Sequence, residues 1–243
     1  MSEPWQSRTA LLIGEDGIDK LKRTRVCVIG LGGVGSYAVE ALARAGIGRF
    51  VLIDFDTVGT TNLNRQIIAL HESIGQPKTE VMKARVLSIN TNAEVITHQV
   101  FLDQENRAEL LRDCDYYIDA IDSLGPKIGL LEYAVRVELK IISVMGAGNR
   151  LDPSQIHLDR LDKSHNCPLA RRVRKFLRRR GIQGTFPCVY SSELPTMPEE
   201  DEDESLKELV ILRGRQRKMI GSISYMPATM GMMAASWVIR QVL

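Results

Sequence analysis

Residues 30–35, Gly-Leu-Gly-Gly-Val-Gly, stand directly after the short β-branched run Arg25-Val-Cys-Val-Ile and directly before an alanine-rich stretch. No other feature of the chain constrains its fold as tightly. A buried strand must end at Gly30, turn within a few residues, and enter a helix in which Ala38, Leu42 and Ala45 recur at helical spacing. A second apolar run, residues 50–54, follows and closes on Asp54. This strand–turn–helix–strand unit builds a pair of parallel strands. Gly30, Gly32, Gly33 and Gly35 let the backbone approach a phosphate, whose charge the exposed N–H groups of the helix start favour. Asp54 falls where an acid accepts hydrogen bonds from ribose hydroxyls.

The rhythm then repeats. Residues 78–89, 104–112 and 124–139 read as helices, and residues 94–100, 116–121 and 140–144 as strands. Such alternation specifies an α/β fold of the Rossmann-like, doubly wound kind, with a mostly parallel sheet. Beyond Gly146, residues 155–159, 186–190 and 220–224 read as further strands, which makes antiparallel additions in the C-terminal half the expectation. An apolar helix over 228–242 ends the chain. At 243 residues a single domain spanning 1–243 is expected.

Composition narrows the function classes. The four cysteines, Cys27, Cys114, Cys167 and Cys188, form no C-x-x-C pair, and the four histidines, His71, His98, His157 and His165, share no metal-ligand spacing. No structural zinc is expected, and a reduced, cytoplasmic protein is. The N-terminus has no apolar signal segment, and the apolar C-terminal stretch is shorter than the ~20 residues a membrane span needs. The net charge of +2 conceals two opposed blocks: seven basic residues within 171–180, and six consecutive acids over 199–204. The acids, preceded by Pro195 and Pro198, cannot bury themselves, so residues 195–205 read as a mobile acidic loop.

A glycine turn of this kind usually serves a dinucleotide and hydride transfer. Here Asn62, Arg65 and Gln66 follow the second strand, with Lys78 shortly after. Two cations converging beside a nucleotide suit a triphosphate: Arg65 can pair bidentately with phosphate oxygens, and Lys78 acts as a point charge. Both can stabilise charge that builds during attack at the α-phosphate. In isolation each residue could instead be a solvated helix residue.

Gly30–Gly35, Asp54–Asp56, Asn62–Gln66, Gly75–Lys78 and Ile118-Asp-Ala-Ile-Asp122-Ser together resemble the ubiquitin-activating family of adenylating enzymes, which includes the molybdopterin- and thiamine-pathway activators. The resemblance implies ATP as the nucleotide, with Asp54 on its ribose and Asn62, Arg65, Gln66 and Lys78 around its phosphates. It implies that Asp122 helps place Mg²⁺, although Asp122 could equally cap the helix that follows. Arg8 is similar to the arginine that family members send into a partner's ATP site, which implies at least a homodimer.

The second half departs from members that activate ubiquitin-like proteins, because it lacks their zinc-binding cysteine pairs. Cys188 lies in a predicted strand and reads as a buried structural thiol. Leu169, Val173, Phe176 and Leu177 form one apolar helix stripe, with Gly181 as the stop. Arg171, Arg172, Arg174, Lys175, Arg178 and Arg179 cover the other faces, a pattern suited to a phosphate backbone. The bland reading is a solvated face, or pairing with the acidic loop. Residues 168–182, with 145–153 and 188–193, resemble the branch of the family that dehydrates a threonylcarbamoyl-modified adenosine of tRNA. That branch implies tRNA as substrate, adenylation of the threonine carboxylate, and ring closure by the neighbouring ureido group with release of AMP. It needs no enzyme thiol, and a sulfur-transfer protein would be a further partner. The rival readings are an activator of a ubiquitin-like sulfur carrier, an NAD-dependent oxidoreductase and a nucleic-acid-binding module with a relic nucleotide fold.

Overall fold

The computed structural model describes residues 3–196 and 220–243. The expected acidic loop at 195–205 lies, from residue 197 onward, outside the described residues. Strands β1 (Arg25–Ile29), β2 (Arg49–Ile53), β3 (Glu94–His98), β4 (Tyr116–Asp119), β5 (Ile141–Val144), β6 (Ile156–Arg160) and β7 (Pro187–Ser191) form one sheet in the order β3-β2-β1-β4-β5-β7-β6. Every neighbouring pair is parallel except β6 with β7. The inner strands are almost wholly buried, as central parallel strands require, whereas the edges β3 and β6 are half exposed.

Helices α1 (Ser7–Arg23), α2 (Gly35–Ala45), α3 (Lys78–Ile89), α4 (Arg107–Leu110), α5 (Leu124–Arg136), α6 (Pro168–Arg179) and α7 (Tyr225–Val242) cover both faces. Side chains alternate along each strand, so β1 sends Val26 and Val28 into one core with α2 and α7, and Cys27 and Ile29 into a second with α5 and α6. That is the doubly wound arrangement.

Several expectations are corrected. The strand expected at residues 220–224 is irregular chain. The edge beside β7 is already taken by β6, and the segment's carbonyls find other donors: Gly221 accepts from the Asn149 amide at 2.8 Å, and Ser222 from Asn64 Nδ2 at 3.1 Å. The helix expected over 104–112 shrinks to α4, because Asp103 and Asn106 bond nearby amides and form a turn instead. The helix expected to reach 139 stops at Arg136, with Glu138 left-handed at φ 56°. β7 runs parallel to β5, so only β6 is antiparallel. Helix α1, kinked at Gly14, carried no sequence expectation.

Candidate nucleotide site and basic helix

The strand order reverses between β1 and β4, and ligands in open α/β sheets bind in the crevice at the carboxyl ends of such strands. The Gly30–Gly35 turn leaves β1 at that point, and Asp122 follows β4. Neither Gly30 nor Gly35 can be replaced. Gly30 sits at φ 90°, and a Cβ there would stand 2.8 Å from the Ala120 carbonyl oxygen; a Cβ on Gly35 would stand 1.7 Å from the Gly30 oxygen. The glycine turn is thereby pressed onto the end of β4, which brings the two halves of the crevice into contact. Helix α7 backs it from the other side, with Pro227 against Gly33.

Asp54, only 8% exposed, links β2 to this turn. Its Oδ2 accepts from the Leu31 amide at 2.6 Å and its Oδ1 from the Asp56 amide at 2.8 Å. Burial pushes its carboxyl above the usual range, against the pull of Lys78 and the two amides. Lys78 opens α3 at 5% exposure, and its Nζ lies 2.9 Å from Asp56 Oδ2. Asp56 is thus a member of the site that the sequence reading passed over.

Between Asp56 and Lys78 the chain forms a short turn. Asn62 Oδ1 accepts from the Gly59 amide at 3.0 Å, and Arg65 Nη1 donates to the Thr61 carbonyl at 2.8 Å and to Asn64 Oδ1 at 2.9 Å. Gln66 is buried beside Gly32, and its Oε1 has no hydrogen-bond partner. Asp122 is exposed and accepts from the Ser123 hydroxyl at 3.0 Å. The residue at the N-cap of α5 is Ser123, so the alternative reading of Asp122 as the cap of that helix does not hold.

Sequence reasoning missed what holds the Asp122 turn. Asp119, Lys127 and Ser143 are all fully buried. Lys127 Nζ lies 2.6 Å from Asp119 Oδ2 and 3.3 Å from Ser143 Oγ, and the Ser143 hydroxyl donates to the same carboxylate oxygen at 2.6 Å. The other oxygen, Asp119 Oδ1, accepts from the Ile121 amide at 3.1 Å, one residue before Asp122. Arg150, also missed, is 4% exposed and ties the next turn, donating to the carbonyls of Gly146 at 2.7 Å and Glu193 at 3.1 Å.

Arg8 is exposed near the start of α1 and is not brought to the glycine turn within one chain. Gln6, just before it, packs on Gly46, at the far end of α2 and about 16 Å along the helix from the turn.

Helix α6 ends at Gly181 as expected, with φ 75° there, and buries Ala170, Val173 and Leu177 while Leu169 and Phe176 are half buried. Leu169 abuts Gly146, so the helix begins at the carboxyl end of the sheet and runs away from it. Arg171, Arg172, Lys175, Arg178 and Arg179 are exposed and, among the described residues, form no ion pair. Arg174 differs: half buried, its Nη1 donates to the carbonyls of Ser164 at 2.6 Å and Leu161 at 3.3 Å. Arg180 pairs with Glu132.

Residues 6–243 match the ThiF family. The chain belongs to the ThiF family. Within it, this ThiF-family chain is 37% identical over 238 residues to the tRNA threonylcarbamoyladenosine dehydratase of Bacillus subtilis (strain 168), covering 98% of this chain and 94% of that protein. It is 39% identical over 213 residues to the protein of the same name from Escherichia coli (strain K12), covering 83% and 79%. The crystal structure of the E. coli tRNA N6-threonylcarbamoyladenosine dehydratase, TcdA, in complex with ATP superposes with a TM-score of 0.87 at 34% identity, covering 99% of this chain and 96% of that one.

Cys188 is fully buried, and burial pushes its thiol up to about 12. In the native protein it should resist iodoacetamide at pH 8 and react only after denaturation. Rapid native alkylation, read by peptide mass spectrometry, would show an accessible thiol and reopen a covalent role.

Proposed function

We propose that this chain adenylates the carboxylate of N6-threonylcarbamoyladenosine in tRNA and closes it to a cyclic product. The observation that carries the reading is that the cation-flanked glycine turn and the start of the basic helix lie at the same end of one sheet. The relatives named as dehydratases of this nucleoside, aligned over 98% and 83% of this chain, support it.

In this reading the whole chain is one adenylating domain. Asp54 holds the ribose, and Asn62, Arg65, Gln66 and Lys78 surround the phosphates. A carboxylate oxygen of the threonine moiety attacks the α-phosphorus, and the bond to the bridging oxygen breaks as pyrophosphate leaves with its electron pair. Arg65 and Lys78 face the charge that moves onto the phosphate oxygens. An atom of the ureido group then attacks the activated carbonyl, AMP leaves with the carboxylate oxygen, and the nucleophile's proton passes to solvent. The tRNA has lost one water. Because nucleophile and electrophile belong to one substituent, proximity drives the second step, and no enzyme thiol takes part.

Mg²⁺ fits Asp122. An exposed carboxylate beside a triphosphate suits a cation that keeps most of its ligands from phosphate and water, and when bound the ion would neutralise phosphate charge. Arg8 acts in trans in a homodimer. Its segment also exposes Leu11 at 89% and Leu12 at 85%, apolar surface that a second copy would cover. Among the described residues no helix is long and apolar enough to cross a membrane, and free thiols with a tRNA substrate suit the cytoplasm.

The deciding experiment is mass spectrometry of nucleosides from modified tRNA incubated with the protein and Mg·ATP. The threonylcarbamoyladenosine peak should fall by the mass of one water, with stoichiometric AMP. Unchanged tRNA, together with ATP cleavage only when a small protein ending in Gly-Gly is added, would overturn the assignment.

A further inference from the structure

The antiparallel register of β6 and β7 places His157 opposite Tyr190, and cross-strand partners present their side chains to the same face. Tyr190 is buried in the core beneath α6. The His157 ring lies 5.3 Å from it, centroid to centroid, at a 35° tilt. His165, three residues before α6, completes the cluster at 5.9 Å from His157 and 5.6 Å from Tyr190. The rings are pinned: Tyr190 Oη lies 3.2 Å from His165 Nδ1, and His157 Nε2 lies 2.8 Å from Ser192 Oγ. Exposure rises through the cluster, from buried Tyr190 to half-buried His157 to exposed His165. Nothing in the nucleotide chemistry uses these three rings.

Their location gives them a use. Tyr190 and Ser192 stand at the carboxyl end of β7, two strands from β4 and therefore about 10 Å across the sheet from the strand that leads to Asp122. Arg171 and Arg172, among the first five residues of α6, follow His165 closely in the chain and are exposed. Pinned aromatic rings set among cations are how proteins hold unpaired bases, because every base has a π-face and every nucleotide a phosphate.

We propose that His165, backed by His157 and Tyr190, is the platform on which an unpaired base next to the modified adenosine stacks, while Arg171 and Arg172 hold the adjoining phosphates. The proposal rests on the reading that the substrate is tRNA. It assigns the rings and the arginines separable effects, since stacking is largely independent of salt and phosphate contacts are not.

The test is the affinity of the full-length protein for modified tRNA, measured over a series of salt concentrations. His165→Ala should weaken binding about ten-fold while leaving the salt slope and ATP affinity unchanged, and His165→Phe should bind like wild type. Replacing Arg171 and Arg172 together with alanine should flatten the salt slope by about 1.5, the loss of two phosphate contacts. Unchanged affinity in His165→Ala overturns the platform. So does an equal loss in His165→Phe, which would assign the ring to the hydrogen bond with Tyr190. A wild-type protein that binds no tRNA at all would instead sink the functional reading.

Discussion

Replacing Lys127 with methionine is expected to destabilise the protein by about 3–5 kcal/mol, which corresponds to a fall in Tm of roughly 6–20 °C for a domain of this size. The reason is what remains behind. Asp119 and Lys127 are both fully excluded from water and sit 2.6 Å apart. Removing the ammonium strands a carboxylate that keeps the Ser143 hydroxyl and the Ile121 amide as donors but has no counter-charge. The double variant Asp119→Asn, Lys127→Met should recover at least half of the loss. Its amide still accepts from Ile121 and can bond Ser143, and removing a buried pair whole costs far less than breaking it. Urea unfolding of the three proteins decides the matter. If Lys127→Met unfolds within 1 kcal/mol of wild type, Asp119 is not held as a buried ion, and the turn before Asp122 is secured some other way.

Lys127 also shows where the sequence was legible and where it was not. The glycine turn could be read because its requirement is local: Gly30 and Gly35 are forced by the steric demands of one short turn, and Asp54 follows at a spacing that one strand sets. The strand order is not local. Which strand lies beside β1 depends on pairings across the whole chain, so the juxtaposition of Gly30–Gly35 with Asp122 appears only in the fold. The partners of Lys127 lie on two neighbouring strands, eight residues before it and sixteen after, so no periodicity within one element links the three. A trace was present nonetheless, since Lys127 shares a helix face with the buried Leu131 and Ala134, where an apolar residue is expected. Within the basic block, Arg174 differs from its neighbours only in where it falls on the α6 circumference, and contact with the Ser164 segment decides its role. Residues 220–224 carry strand-forming side chains, but their backbone groups bond Asn149 and Asn64, which no local pattern reveals.

The second large effect falls on chemistry and leaves the fold intact. Lys78→Met and Asp122→Asn should each slow AMP formation by about 10²–10³-fold, the usual loss when one preorganised charge facing the reaction is removed. Neither change should cost much stability, and the contrast with Lys127 explains why. Lys78 also pairs with an aspartate, at 2.9 Å, but the Asp56 side chain is 36% exposed. Freed of its lysine, Asp56 can be solvated, so this ion pair is one the fold can lose cheaply. A buried lysine held by a half-exposed acid is therefore better explained by a second anion that it meets during the reaction. On that argument Asp56→Asn should keep AMP formation within about ten-fold of wild type, because the lysine still faces the phosphates when its resting partner is neutral. Single-turnover AMP release separates the outcomes. A Lys78→Met enzyme that reacts within ten-fold of wild type would mean that Lys78 serves Asp56 alone and that the charge at the α-phosphate is met by other groups.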